Sequence, residues 1–196
     1  MITLQELKTL FQEPRTFFKQ RSKETFDSSL FFALLVRAIS SLSSIFYYIQ
    51  QFSITPVLFG PIYLLIILGS LAGLFIGTGI IHLSLRIFGG QGSYEKTFQS
   101  YVYGHLPSFL WATLLNIIGY FFPETLMASL VFMFLLVPVY IYSVYLTIVG
   151  LSLNHKMSMG RAFLAWLIPS AIFGIITIII LVLFFTIAAV TTTTGI

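Results

Sequence analysis

The chain has 196 residues, of which 58% are hydrophobic, 17% aromatic and only 8% charged, with a formal net charge of +4. Soluble domains carry about 25% charged residues, because a folded sphere needs a wetted surface, so this composition excludes a water-soluble globule and makes the bilayer the solvent. The absence of cysteine excludes disulfides, thiol nucleophiles and cysteine-ligated metals.

Residues 1–27 hold most of the charge, with Lys8, Arg15, Lys19, Arg21 and Lys23 set against Glu6, Glu13, Glu24 and Asp27. Leu4, Leu7, Leu10 and Phe11 fall at i, i+3, i+4 spacing, so residues 3–12 read as an amphipathic helix ended by Pro14. With Phe17 and Phe18 following, this segment is expected to lie along the cytosolic interface or to dock on the bundle. The first apolar run begins only near Leu30, behind a segment too long and too mixed in charge for a signal-peptide n-region.

Five apolar stretches follow, at residues 28–52, 57–85, 97–120, 125–151 and 162–190. Each exceeds the ~20 residues needed to cross ~30 Å of hydrocarbon, so the expected fold is all-α, a polytopic bundle of five transmembrane helices. Turn chemistry separates them at Phe88-Gly89-Gly90-Gln91-Gly92 and at Phe121-Phe122-Pro123-Glu124.

The basic residues then predict orientation. Apart from Arg37, every Lys and Arg lies in the amino-terminal segment, in the second loop (Arg86, Lys96) or in the fourth (Lys156, Arg161). The first loop, the third loop and the carboxyl tail contain none. This nine-to-zero split predicts a cytosolic amino terminus and an outside carboxyl terminus. It also accounts for the net basic charge without a nucleic-acid partner.

Few residues in the spans can carry chemistry. No Asp or Glu lies within one, and His82, His105 and His155 form no metal-ligand spacing, so neither an enzyme, a metal site nor a cofactor is expected. Arg37 is the one intramembrane charge, and at that depth it costs about 2.5–3.5 kcal/mol unless it snorkels or finds partners. Two readings stand: an anion or lipid-headgroup site with His105 and Asn116, or a structural bond to neighbouring helices. Gly69, Gly73 and Gly77 form a small-residue ridge, expected to pack against another helix of the chain rather than a second copy. Gly89, Gly90 and Gly92 lack the lysine–hydroxyl pair of a phosphate loop and read as a tight turn needing positive φ, followed by a helix capped at Ser93. Pro107, Pro138 and Pro169 are candidate helix breaks or kinks near mid-membrane.

The segment Leu83-Ser84-Leu85-Arg86-Ile87-Phe88-Gly89-Gly90-Gln91-Gly92-Ser93-Tyr94-Glu95-Lys96-Thr97-Phe98 resembles the Yip1 domain family. The likeness continues through Tyr103-Gly104-His105-Leu106-Pro107, Tyr142-Ser143-Val144-Tyr145-Leu146 and Ser158-Met159-Gly160-Arg161-Ala162, and opens at Glu13-Pro14-Arg15-Thr16-Phe17. The resemblance implies a five-span helical membrane protein. Eukaryotic relatives work at endoplasmic reticulum and Golgi membranes, bind Rab-type GTPases, and usually carry a long cytosolic amino-terminal region with an Asp-Leu-Tyr-Gly-Pro element. Here only 27 residues precede the first span, and Phe59-Gly60-Pro61 echoes that element on the wrong side of it. The departure points away from GTPase binding and toward a prokaryotic Yip1-type protein of the plasma membrane. The function expected is a non-enzymatic membrane scaffold contacting lipid and a protein partner at the cytosolic face. The alternative is a small transporter or channel with a polar path near Arg37.

Overall fold

The structure, a computed structural model, describes residues 3–52, 56–121 and 126–194. Among them the regular elements are helical: α1 (Leu4–Gln12), α2 (Pro14–Arg21), α3 (Phe26–Phe52), α4 (Phe59–Ile87), α5 (Tyr94–Gly104), α6 (Leu106–Phe121), α7 (Leu126–Asn154) and α8 (Met159–Thr194). The expected turn at Phe122-Pro123-Glu124 and the last two tail residues lie outside the described residues.

Local chemistry sets the helix ends. Thr3 and Glu6 close a capping box at the start of α1, satisfying two of the orphan amides there. Pro14 both ends α1 and starts α2, where its fixed φ suits the first helical position. Phe88, Gly89 and Gly90 end α4 in a Schellman turn: Gly90 N–H donates to Leu85 O (2.8 Å) and Gly89 N–H to Arg86 O (3.1 Å). Gly89 supplies the positive φ (+86°) that this turn requires. Ser93 stands at the cap position of α5, but its side chain makes no capping bond.

Four helices are long and apolar enough to cross a membrane: α3 over Phe26–Ile45, α4 over Phe59–Ile87, α7 over Phe134–Asn154 and α8 over Met159–Leu183. The third expected span is not a single helix. It divides at His105 into the polar α5 and the apolar α6, and α6 alone is 16 residues long, about 24 Å at ~1.5 Å per residue. Pro107 is the physical reason. It has no N–H for the carbonyl of Tyr103, and the N–H of Ser108 turns away to Ser143 Oγ at 3.1 Å. Pro138 and Pro169, by contrast, lie inside α7 and α8, which continue through them.

The core gathers at one end of the bundle. Leu10, Phe17 and Phe18 of α1 and α2 are buried against Tyr103, Leu106, Leu146 and Val149. The amino-terminal segment is therefore docked on α5 and α7 rather than laid along the interface. Each fully buried apolar side chain contributes about 1.5–3 kcal/mol, enough for three of them to hold a segment that surface ion pairs alone could not. On the other side of the core, Ala162, Ala165 and Trp166 of α8 pack on Ile81, Leu85, Ile148 and Leu151. Beyond Trp166 the apolar side chains of α8 from Ile172 to Leu183 are exposed, as suits contact with lipid. These contacts bring together the amino-terminal segment, the turn after α4 and the turn before α8. That end carries every Lys and Arg except Arg37 and is called the basic end below.

Among the described residues, the Gly69/Gly73/Gly77 ridge has no close neighbour of the kind expected of it. A Cβ built on any of the three meets nothing within 4 Å. The glycines that mate helices are others. At Gly104 a Cβ would fall 2.6 Å from the Cα of Thr147, and at Gly150 it would strike the Phe18 ring at 2.7 Å. Gly104 lets α5 and α7 touch backbone to side chain, and Gly150 makes the seat for Phe18.

Candidate functional site

The basic end is organised around α5, whose Thr97, Gln99 and Ser100 are buried although polar. Each is satisfied, as burial demands. Gln99 donates to Glu24 O (3.0 Å) and accepts from Lys96 Nζ (2.9 Å). Ser100 donates to Lys96 O (2.7 Å) and accepts from Asn154 Nδ2 (2.9 Å). Lys96 also donates to the carbonyl of Ser22. The polar face of α5 thus ties the loop before α3 to the end of α7.

A charged latch completes this tie. Arg21 pairs with Glu6 and with Glu24 at 2.8 Å each, and the Tyr103 hydroxyl donates to the other oxygen of Glu24. The Arg21 guanidinium also lies over the Phe17 and Tyr103 rings, at 5.9 and 5.6 Å from their centroids. Arg21 and Glu24 are mostly buried, so this pair is less screened than a surface one. The carboxyl of Glu6 is held below the usual range, chiefly by the backbone N–H of Thr3.

Beside α5, one hydroxyl joins two histidines. Thr97 Oγ1 lies 2.9 Å from His82 Nδ1 and 2.8 Å from His155 Nε2. A hydroxyl has one proton, and Ser93 O also lies 3.4 Å from Oγ1, so Thr97 accepts from at least one of the two rings. Gly90 and Gly92 close over His155. A Cβ on Gly90 would sit 2.9 Å from His155 Nδ1, and one on Gly92 would sit 3.0 Å from the ring carbons. Gln91 N–H donates to His155 O at 3.1 Å, fastening the turn. Gly90 and Gly92 therefore serve close approach, and Gly89 alone serves positive φ. His155 Nδ1 is buried without a partner, and burial, with His82 and Arg86 nearby, pushes the imidazole down to about 4. Nothing in the spacing of His82, Thr97 and His155 along the chain announces this cluster.

Deeper in the bundle, the α5/α6 break brings Arg37 and His105 together. The Arg37 guanidinium lies 4.4 Å from the centroid of Phe109, whose ring is 6.3 Å from that of His105. Arg37 Nε is buried with no hydrogen-bond partner, and among the described residues no tyrosine hydroxyl, asparagine or freed carbonyl takes the guanidinium. Its partner is an aromatic face, a cation–π contact worth about 0.5–2 kcal/mol. His105 Nδ1 lies 3.1 Å from Tyr101 O and 3.0 Å from Thr147 Oγ1. A carbonyl can only accept and Thr147 already donates to Ser143 O (2.9 Å), so Nδ1 carries the proton and Nε2 keeps its lone pair. Asn116 is elsewhere: it donates to Ser44 Oγ (2.9 Å) and Ser43 Oγ (3.3 Å), joining α6 to α3.

The sequence matches the model of the Yip1 domain over residues 8–181. The chain belongs to the Yip1 domain family. The match runs from α1 into α8, so it takes in the docked amino-terminal segment, the buried α5 and the α5/α6 break. Among curated proteins, the uncharacterised protein MJ0794 of Methanocaldococcus jannaschii is 36% identical over 121 residues, covering 57% of this chain and 86% of that protein. No solved structure matches. Within this Yip1 domain the polar groups form one network at the basic end, satisfied except at His155 Nδ1, and one isolated cation at the helix break. Among the described residues no three His, Asp or Glu side chains gather as a metal site. The arrangement fixes helices to one another.

Proposed function

We propose that this Yip1 domain protein is a non-enzymatic scaffold that organises the membrane and presents its basic end to a protein partner in the cytosol. The observation that carries this reading is the latch of Arg21, Glu6, Glu24 and Tyr103, which fixes α1 and α2 to the bundle as one composite surface. A groove of about 740 Å³ between the two short helices, lined by residues such as Gln5, Lys8, Gln12 and Gln20, opens on that surface. The orientation follows from the nine-to-zero charge split, with α5 and α6 together making the third of five crossings. Polar contacts that close the bundle favour a scaffold over a transport path, and none of the three clefts found reaches Arg37.

A photo-reactive residue at Gln20, compared with one at the lipid-exposed Leu68, tests the reading in intact cells. A discrete protein adduct from Gln20 and none from Leu68 is expected. Solute flux in liposomes that disappears with Arg37→Leu would replace the scaffold by the transporter.

A further inference from the structure

A second cleft, of about 400 Å³, opens between the start of α2 and the turn into α8. Its polar lining is Arg15, Ser152, Lys156 and Ser158, with Leu153 and Met157 beside them. Three features set it apart from an ordinary basic surface. First, its cations are not neutralised: both ion pairs found among the described residues use Arg21, and the only hydrogen bond of Arg15 is to the Met159 sulfur at 3.7 Å. Second, Ser152 is only 9% exposed as a residue, and its hydroxyl, which has no hydrogen-bond partner among the described residues, is open to the cleft it lines. Third, α8 begins at this cleft, where Ser158 Oγ accepts from Arg161 N–H (3.4 Å) and the amides of Met159 and Gly160 have no partner among the described residues.

We propose that this cleft binds a phosphate group, with Arg15 and Lys156 supplying charge and Ser152 and the first turn of α8 supplying hydrogen bonds. The position favours a lipid. Met159 opens an apolar span that runs to Leu183, so the cleft stands at the depth of the headgroups flanking the basic end. Two cations and a hydroxyl donor match the phosphate of an anionic headgroup, whereas the quaternary amine that balances the phosphate of phosphatidylcholine would be repelled by them. The inference concerns a site apart from the latch and does not depend on the scaffold reading.

The full chain, purified in detergent, is titrated with phosphatidylglycerol and with phosphatidylcholine, and bound lipid is counted by native mass spectrometry. Lys156 has a left-handed backbone (φ 53°), so Arg15→Gln with Lys156→Asn removes both charges while keeping a residue tolerant of that conformation. Lys19→Gln with Lys23→Gln removes the same charge from exposed sites outside the cleft. The cleft variant is expected to hold phosphatidylglycerol about tenfold or more weakly, since each cation near an anionic surface is worth ~1 kcal/mol. The control should bind as the wild type does, and phosphatidylcholine should bind neither strongly nor differently. Ser152→Ala, which leaves every charge in place, should weaken retention severalfold and guards against a cleft variant that folds poorly. Inorganic phosphate that displaces the lipid would identify a soluble phosphate as able to fill the site, whereas retention unaffected by it would assign the site to lipid alone. Equal loss in the cleft and control variants, or no loss in either, would overturn the proposal.

Discussion

Gly104 of α5 sits against Thr147 of α7 so closely that a Cβ on the glycine would lie 2.3 Å from the threonine hydroxyl oxygen and 2.7 Å from its backbone nitrogen. Thr147 also accepts from His105, so this contact fixes the helix break from both sides. Gly104→Ala must push α5 and α7 apart and is expected to cost at least the ~1–3 kcal/mol typical of overpacking. Gly73→Ala adds a methyl where nothing stands within 4 Å and removes a helix-weakening residue. Thermal melting in detergent should therefore separate the two, with Gly104→Ala melting clearly lower and Gly73→Ala unchanged or slightly higher.

That pair also marks how far the sequence could be read. The helices, the turn at Gly89 and the all-α membrane fold follow from apolar periodicity and local backbone chemistry. The helix-mating glycines do not, because neither Gly104 nor Gly150 belongs to a glycine repeat, whereas the repeat at Gly69, Gly73 and Gly77 meets nothing within 4 Å among the described residues. Phe17 and Phe18 would look the same on an interfacial helix as on a docked one, and only the seat at Gly150 distinguishes the two. The break at His105 was hidden by the apolar run through α6, although Pro107 pointed toward it. The bridge from His82 through Thr97 to His155 depends on three elements meeting, which no local pattern encodes.

Arg37 is held by the Phe109 face alone among the described residues. Its cation–π contact, about 0.5–2 kcal/mol, is smaller than the ~2.5–3.5 kcal/mol that an arginine costs at such depth. Arg37→Leu is thus expected to leave the melting temperature unchanged or raise it. Phe109→Leu, which leaves the cation without its contact, should lower it. A large loss of stability in Arg37→Leu would mean that the guanidinium has a stronger partner.

His155 gives the basic end a pH dependence. Its folded value of about 4 lies below the ordinary 6.5, because burial comes first and the positive neighbours His82 and Arg86 follow. The folded state therefore favours the neutral ring, and the unfolded chain binds the extra proton between those values. Stability is full above about pH 6.5 and falls as the pH drops toward 4. His155→Gln keeps a polar atom near the Nε2 position without titrating, so it should flatten the melting temperature against pH across that window. A slope equal to the wild type's would assign the acid sensitivity to other groups.

The proposed orientation has a direct check, made simple because the chain contains no cysteine. Single cysteines placed by Ser158→Cys and Thr192→Cys should react with an impermeant thiol reagent from opposite faces of the membrane, Ser158→Cys from the cytosolic one. Labelling of both from one face would contradict the five-crossing arrangement.

The central claim is that α1 and α2 belong to the folded basic end and are not a loose tether. Hydrogen–deuterium exchange of the full chain in lipid nanodiscs measures this most directly, by comparing peptides over residues 14–25 with those over residues 146–153 of α7. The account predicts comparable protection in both, and faster exchange of residues 14–25 when Arg21→Gln and Tyr103→Phe remove the contacts to Glu24. Exchange of residues 14–25 at the rate of an unstructured chain, beside a protected α7, would contradict it.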